Sequence, residues 1–470
     1  MTSNLDPKDW AAFRSQAHNL LDRCITQIAE AQQHPWQSPP EDAAERYAIG
    51  RHQSEGNELS ARIDEDVLPY HGGNTHPRFW GWVQGTGLAS DLIAGMVGAT
   101  INTNGGGRNH GANEMERAVI DWTRVKMGFP EGASGIMVAG TSQATVIALQ
   151  CARLRAQGTV RSEGTQAGFT CYAADGVHNA TRKAIELLGI GHNALRLIPS
   201  SDGQMGASAL REQIRKDRAN GLCPMAIVGT AGSVDLGGFD DLNALADIAS
   251  EENVWLHVDG AFGAWTRIAD APWRSLSDGI ERADSIALDF HKWMYVNYDC
   301  GLALIRDEAE HRAAFAARPA YLQGADQGLA GGDPWFCDYG IDLSRGNRAL
   351  KVWCALEMFG EEAFSEAITR NCELARLMGQ EVISRGMALL SPVTSNICVF
   401  SADPDQTPEA QSALNSKIAL DLQLSGEAVF STTDVNGITC LRAAIVNHRS
   451  TKEDVIAALD AVVQAKGSTG

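Results

Sequence analysis

Short apolar runs alternate with helix-like stretches over residues 76–310, and this alternation constrains the fold more than any other feature of the chain. Short runs without polar alternation are typical of strands that are covered on both faces. When such strands alternate with helices, the expected architecture is an α/β fold with a mostly parallel central sheet and flanking helices. The predicted strands are 135–139, 168–173, 194–199, 225–228, 254–258, 285–288 and 302–305.

Groups of opposite charge follow two of these predicted strands. Asp259 comes directly after the fifth strand, and the sixth leads to His291-Lys292-Trp293. Because ligands gather at the carboxyl ends of strands in an open parallel sheet, we expect Asp259 and Lys292 to meet at one edge. An amine that forms a Schiff base and a carboxylate that keeps a pyridine nitrogen protonated are the groups that pyridoxal 5′-phosphate (PLP) requires. The alternative is an ordinary ion pair that caps two strands.

A turn with an anion-binding pattern follows the first predicted strand. Gly140-Thr141-Ser142 stands between that strand and a helical stretch at 146–155. Glycine lets backbone N–H groups approach a ligand, and a helix N-terminus carries partial positive charge, so the turn is suited to a phosphate. An N-cap is the simpler interpretation of either hydroxyl group.

The segment around Lys292, from His291 to Cys300, resembles the Schiff-base lysine segment of the group II PLP-dependent amino acid decarboxylases. That family includes the aromatic-L-amino-acid, tyrosine, histidine and glutamate decarboxylases. The resemblance extends over residues 76–449 and implies the PLP-dependent transferase fold type I. The sequence pattern divides the chain into an N-terminal helical arm, a large PLP-binding domain, and a linking helix with a small C-terminal α+β domain, at 1–75, 76–346 and 347–470.

The resemblance assigns a set of residues to the cofactor. In this family a histidine, here His178, stacks over the pyridine ring, and a threonine, here Thr230, lies near the phenolic oxygen. Ala261 is small enough to let the ring lie flat, and Asp289 stands where the aromatic enzymes often have asparagine. The complete set is Thr141, Ser142, His178, Thr230, Asp259, Ala261, Asp289, His291 and Lys292.

Tyr321 lies in a glycine-rich loop at 318–332 that we expect to act as a mobile lid. The family has Pro-x-Tyr-Leu at the corresponding place, and its tyrosine returns a proton to the α-carbon after CO₂ leaves. A phenol is a workable proton donor for that step, although a loop anchor is the structural alternative. The resemblance therefore predicts Lys292, Tyr321, His178 and Asp259 as catalytic residues.

Trp80, Trp82 and Gln84 fall in the segment that matches the family's substrate pocket. The two indole rings favour an aromatic or bulky L-amino acid, which decarboxylation would convert to its amine and CO₂. An acidic substrate stays open, as do an aldehyde-forming decarboxylation and a retro-aldol carbon–carbon lyase on the same scaffold. A catalytically silent binding protein is a further class, which a missing visible absorption band would favour.

The composition limits partners and location. The formal net charge is −19 over 470 residues and no Lys/Arg cluster offsets it, so neither nucleic acid nor an anionic membrane is an expected partner. The ten cysteines contain no C-x-x-C pair, which favours a reduced, cytoplasmic protein. Residues 1–20 lack a signal peptide's apolar segment, and neither a membrane span nor a zinc-type signature is present. In this family the N-terminal arm packs on the partner subunit, so the resemblance implies a homodimer.

Overall fold

The computed structural model describes residues 5–49, 58–166, 168–201, 203–317 and 324–467. The strands, in chain order, are β1 (Ser134–Val138), β2 (Phe169–Ala174), β3 (Leu195–Ile198), β4 (Ser200–Ser201), β5 (Gln204–Met205), β6 (Cys223–Thr230), β7 (Trp255–Asp259), β8 (Ser285–Asp289), β9 (Gly301–Ile305), β10 (Ala388–Leu389), β11 (Ile397–Ser401), β12 (Ser431–Val435) and β13 (Ile438–Ala444).

The α-helices, in chain order, are α1 (Trp10–Ala29), α2 (Ala43–Arg46), α3 (Glu58–Arg62), α4 (Ser90–Ile101), α5 (Gly111–Lys126), α6 (Thr141–Ala156), α7 (Val160–Glu163), α8 (Asn179–Leu187), α9 (Ala207–Ala219), α10 (Leu242–Glu252), α11 (Glu308–Phe315), α12 (Ala349–Ser384), α13 (Pro408–Ser425) and α14 (Lys452–Gly467). A π-helical turn spans Ile63–Val67. Short 3-10 helices span Ala31–Gln33, His192–Ala194, Gly263–Ile268, Trp273–Ser277, Ile280–Arg282 and Phe336–Asp338.

The central sheet has seven strands in the order β1-β9-β8-β7-β6-β2-β3. The strands from β8 to β3 pair in parallel, whereas β9 runs antiparallel to both β8 and β1. Every residue of β1, β2, β7, β8 and β9 is buried, as expected for apolar runs covered on both faces. The predicted fold, a mostly parallel sheet of fold type I with flanking helices, is confirmed.

The register of the parallel strands brings the predicted site residues to one edge. Thr230 ends β6, and its Cα pairs with that of Asp259, which ends β7. Asp289 ends β8, the next strand in the sheet. Asp259 in turn pairs with Ala287, so Asp289 lies two residues further along at the same edge of the parallel strands. The three side chains therefore start from neighbouring positions.

A second, four-stranded antiparallel sheet has the order β10-β11-β13-β12 and its own hydrophobic core. The chain reaches it through α12, a helix interrupted at Gly360, where φ is 74° and ψ is 160°. The segment near Phe79 also joins this region, since Phe79 bridges to Val429 and the backbone of Trp80 bonds to Val429 and Ala444. This segment thus packs with the C-terminal sheet although it precedes the large sheet in sequence.

Helix α1 carries much of its apolar surface on the outside. Its N-cap, Asp9, accepts hydrogen bonds from two backbone N–H groups of the first turn, and Trp10, Phe13 and Ile25 are exposed.

The proposed division of the chain at residues 75 and 346 stays a prediction. Within the described ranges, no helix is both long and apolar enough to span a membrane. No group of three or more His, Cys, Asp or Glu side chains in those ranges could hold a metal ion.

Candidate active site

Lys292 lies just beyond β8 and forms an ion pair with the last residue of that strand. Its Nζ is 3.1 Å from Oδ2 of Asp289, at i,i+3 spacing. The Asp289 carboxylate is almost fully buried, whereas the Lys292 side chain keeps 20% of its surface exposed. The amine is therefore held by a buried partner and is still reachable from outside.

The turn after β1 is bonded to the same carboxylate. The Thr141 backbone N–H donates to Oδ1 of Asp289 at 2.8 Å, and the Thr141 hydroxyl donates to Oδ2 at 3.0 Å. Ser142, the next residue of α6, is exposed. The Thr141 hydroxyl is thus already hydrogen-bonded to Asp289. The Ser142 hydroxyl lies at the surface of the helix N-terminus, where partial positive charge favours an anion.

Asp259 is a buried carboxylate at the end of β7. Its Oδ1 accepts a hydrogen bond from the Ala261 N–H at 3.2 Å. Burial raises the pKa of Asp259 above its usual range, and the charges of Lys292 and His178 oppose that rise. Because a buried carboxylate is stabilised by a nearby positive charge, a protonated ring nitrogen beside it would favour the ionised form.

His178 follows β2 and caps helix α8. Its Nδ1 accepts a hydrogen bond from the Ala180 N–H at 3.2 Å, so the proton of the neutral ring is on Nε2. The side chain is exposed, and a positive charge on it would lower the pKa of Asp259. The exposed ring therefore has Nε2 available as a hydrogen-bond donor, because the helix cap uses only Nδ1.

Thr230 is fixed by a second buried carboxylate. Its N–H donates to Oδ2 of Asp240 at 2.7 Å, and Oδ1 of Asp240 accepts the Met205 N–H at 2.6 Å. Burial raises the pKa of Asp240 to about 6. Asp240 therefore anchors the end of β6 to β5, and the Thr230 side chain is held beside Asp259.

His291 lies between the lysine segment and the loop that returns to β9. Its Nδ1 accepts the Cys300 N–H at 3.1 Å, and its Nε2 is 3.6 Å from Oδ2 of Asp289. The Tyr298 ring lies 4.3 Å from the imidazole, centroid to centroid. Burial lowers the pKa of His291. The imidazole is thus held from three sides next to the Asp289–Lys292 pair.

The expectation that Trp80 lines the substrate pocket is wrong. Its ring is completely buried in the core of the C-terminal sheet, packs edge-on against Phe430 at 5.8 Å, and donates a hydrogen bond to Ser450 at 3.0 Å. In an extended segment, residues two positions apart lie on the same side, but the positive φ of Trp82, 55°, interrupts the extended backbone here. Trp82, accordingly, is the exposed one of the pair.

The segment that carries Gln84 packs directly on the lysine segment. A Cβ atom at Gly85 would lie 2.5 Å from the carbonyl oxygen of Lys292, so this close approach requires glycine. Gln84 is half-buried, and Trp82 has a positive φ of 55°. The contact with the lysine segment is made by the Gly85 backbone, and a place for Trp82 and Gln84 in the substrate pocket stays a prediction. Tyr321 lies outside the described residues.

The sequence interpretation missed the role of Arg442. This buried guanidinium donates to the carbonyl oxygens of Trp82 at 3.0 Å and Asp235 at 3.1 Å, and to the Ser431 hydroxyl at 3.0 Å. Burial lowers the pKa of Arg442 to about 10. It joins the C-terminal sheet to the segment beside Lys292 and to the loop after β6. The available signal was an arginine flanked by apolar residues, Cys440-Leu441 before it and Ala443-Ala444 after it.

The residues at this edge fit PLP. Lys292 is reachable, Asp259 is a buried carboxylate that faces positive charge, and Ala261 adds no bulk beyond Cβ. At Gly140 a Cβ atom would lie 3.2 Å from Cε1 of His291, so the turn between β1 and α6 packs closely against this imidazole. The exposed Ser142 at the N-terminus of α6 is the part of the turn that an anionic group can approach. The amine, the carboxylate and the anion-binding turn are the three parts that PLP needs.

Comparison with known proteins identifies the family. A family model described as the pyridoxal-dependent decarboxylase conserved domain matches residues 51–400. An aromatic-L-amino-acid decarboxylase of Bacillus atrophaeus is 30% identical over 420 residues, covering 87% of this chain and 85% of that protein. An L-2,4-diaminobutyrate decarboxylase of Rhizobium meliloti is 30% identical over 335 residues, covering 71% and 66%. The crystal structure of Oryza sativa TDC with PLP and tryptamine has the same fold, with a TM-score of 0.91 at 23% identity and coverage of 99% and 100%. The chain belongs to the pyridoxal-dependent decarboxylase family and is a PLP-dependent carboxy-lyase.

Proposed function

We propose that this enzyme removes CO₂ from an aromatic L-amino acid and releases the corresponding amine. The observation that supports the proposal is the strand edge, where the buried Asp259 carboxylate interacts electrostatically with Lys292 and His178. The Lys292 amine at this edge is accessible from outside. The exposed indole of Trp82, three residues before the Gly85 backbone that packs on the lysine segment, supports an aromatic side chain. The relationship to the Bacillus atrophaeus enzyme, which covers 87% of this chain, supports the same choice.

Each residue at the edge has a proposed task. When bound, PLP supplies the electron sink for the loss of CO₂. Lys292 attaches the cofactor, and Asp259 keeps the ring nitrogen protonated. His178 stacks on the ring and donates its Nε2 proton to the substrate carboxylate. Thr230 contacts the phenolic oxygen.

The anion-binding end of the site has two proposed parts. Ser142 and His291 hold the phosphate directly, the first with an exposed hydroxyl and the second with an imidazole anchored on Cys300. Thr141 and Asp289 brace the turn from behind, since they are already bonded to each other. Alignment of the substrate by several fixed contacts is what lets such a site select one bond for cleavage.

We also propose that the chain forms a homodimer through its N-terminal arm, and that it works in the cytoplasm. The outward apolar residues Trp10, Phe13 and Ile25 of α1 support a partner on this face, because large exposed apolar side chains in a row are costly in water. The ten cysteines are scattered along the sequence with no C-x-x-C pair, which supports a reducing compartment.

A panel of L-amino acids tests the proposed function. The purified holoenzyme is incubated with L-tryptophan, L-tyrosine, L-phenylalanine, L-glutamate and L-2,4-diaminobutyrate, and CO₂ and amine are both measured. We expect kcat/KM to be highest for an aromatic member of the panel. A clear preference for glutamate or 2,4-diaminobutyrate would replace the proposed substrate class, and the second outcome would agree with the Rhizobium meliloti relative.

Replacing Tyr321 with phenylalanine is expected to change the product. If the phenol returns the proton to the α-carbon, Tyr321→Phe keeps the ring but removes the donor. CO₂ release then continues while O₂ intercepts the unprotonated α-carbon, so that aldehyde, ammonia and hydrogen peroxide replace part of the amine. The ratio of peroxide to CO₂ is measured in both proteins. An unchanged ratio at an unchanged rate would exclude Tyr321 from the reaction. Peroxide that already dominates in the wild type would identify an aldehyde-forming enzyme.

A further inference from the structure

The Asp289 carboxylate accepts hydrogen bonds from the turn next to Lys292 and forms an ion pair with Lys292 itself. Its Oδ1 accepts the Thr141 N–H, and its Oδ2 accepts the Thr141 hydroxyl and lies 3.1 Å from the Lys292 ammonium. Within the described part of the chain, Lys292 forms an ion pair with no other carboxylate. A carboxylate with three donors on one side is fixed in position and cannot turn away from the amine.

The position of Asp289 is costly if its only task is to support the turn. It is almost completely buried, and it lies beside the turn that is shaped for an anionic phosphate. Two like charges at close range in a poorly solvated site repel each other, so a carboxylate here opposes cofactor binding. A neutral amide would accept hydrogen bonds without that repulsion. The negative charge of Asp289 at this position therefore indicates a role in accepting a proton.

Such a task exists at the nitrogen that Asp289 touches. A lysine ammonium has no lone pair and must lose a proton before it can attack an aldehyde. Asp289 is within hydrogen-bond reach of that proton, and the 20% exposure of the Lys292 side chain leaves part of it accessible to an aldehyde. The proton acceptor and an accessible amine are thus together before any cofactor arrives.

We propose that Asp289 is the general base for capture of PLP by Lys292, a role that rests on the proposed attachment at Lys292. Asp289 takes one proton from the ammonium, and the freed lone pair forms the bond from Nζ to the aldehyde carbon. Asp289 delivers this proton to the former aldehyde oxygen and then transfers a second proton from the nitrogen to the same oxygen, which leaves as water while a C=N bond forms. One ammonium and one aldehyde give one protonated imine and one water, with no external oxidant or reductant.

The test separates covalent capture from simple binding. Apoenzyme is prepared from the wild type, Asp289→Asn and the control Asp299→Asn, which removes a nearby charge that pairs with Arg348 at 3.2 Å instead of with Lys292. Each is mixed rapidly with PLP, and the rise of absorbance near ~420 nm, the region expected for this cofactor's imine, gives the capture rate. Pyridoxine 5′-phosphate, which lacks the aldehyde, is titrated separately by quenching of tryptophan fluorescence.

We expect Asp289→Asn to capture PLP roughly 10²-fold more slowly, the low end of general-base effects, while binding pyridoxine 5′-phosphate as well as or better than the wild type. Asp299→Asn should match the wild type in both measurements. Capture by Asp289→Asn at the wild-type rate would overturn the proposal. A parallel loss of pyridoxine 5′-phosphate binding would also overturn it, because it would show a structural role only.

Failure of this inference can be told apart from failure of the proposed function. Borohydride reduction of the wild-type holoenzyme, followed by peptide mass spectrometry, locates the covalent link independently of any rate. A link on a residue other than Lys292 would overturn the proposed attachment. A link on Lys292 that forms equally fast in Asp289→Asn would overturn the role of Asp289 alone.

Discussion

Replacing Lys292 with alanine is expected to abolish the covalent link to PLP and, with it, essentially all turnover. Lys292 is the amine at the strand edge that carries Asp259, and part of its side chain is open to an incoming aldehyde. Wild-type holoenzyme should absorb near ~420 nm or ~335 nm, as PLP Schiff bases do, and borohydride should fix the cofactor on the protein. The variant should show neither property.

A matched control for Lys292→Ala is Lys183→Ala. Lys183 is an exposed lysine on α8, a few residues after His178, and its removal takes away one positive charge near the site without touching the amine that reacts. It should keep the absorption band and the reducible link. Retention of that link in Lys292→Ala, or its loss in Lys183→Ala, would contradict the assignment of Lys292.

The second large effect is expected for Asp259→Asn, which should lower kcat by roughly 10²-fold or more, equivalent to about 2.7 kcal/mol of barrier. An amide has nearly the same shape, so β7 and its pairing with Thr230 should persist. What the amide lacks is the charge that stabilises a protonated ring nitrogen in a buried place. Steady-state kinetics, with circular dichroism to verify the fold, checks this result.

Asp241→Asn is the control for the loss of a carboxylate near the same strands. Asp241 is exposed and caps α10 by accepting the Ala244 N–H at 3.0 Å. Asparagine is as good an N-cap as aspartate, so activity should stay within a few-fold of the wild type. If Asp259→Asn also kept its activity within a few-fold of the wild type, Asp259 would have only a structural role at the end of its strand.

The strands of the large sheet were predictable because each is an uninterrupted apolar run. The predicted run 285–288, for example, became β8 (Ser285–Asp289), and 302–305 became β9 (Gly301–Ile305). A strand buried on both faces needs no particular neighbour to be apolar, so its signal is local. The interpretation of Trp80 was wrong for the opposite reason. Whether a tryptophan lies in a pocket or in a core depends on what packs against it, here the C-terminal sheet.

Some features of the candidate site could be predicted from local sequence, whereas others depend on contacts between distant segments. Asp259 and Lys292 could be predicted as a pair, because chain direction alone brings the carboxyl ends of parallel strands to one edge. The bonds from Asp289 to Thr141 join residues that are far apart in sequence, and they depend on how β1 and β8 are placed on either side of β9. No local pattern contains that information. Arg442 is similar, since its partners belong to three separate segments.

The fold type, the family and the strand edge that holds Asp259 and Lys292 could all be inferred from the amino-acid sequence. These follow from hydrophobic periodicity and from short motifs, which are properties of contiguous residues. The three-dimensional contacts were needed to show that the Thr141 hydroxyl is bonded and Ser142 exposed, which tryptophan of the pair is exposed, and that the buried partner of Lys292 is Asp289. The physical reason is that burial and pairing are set by contacts between distant segments, and a side chain takes its chemical character from those contacts.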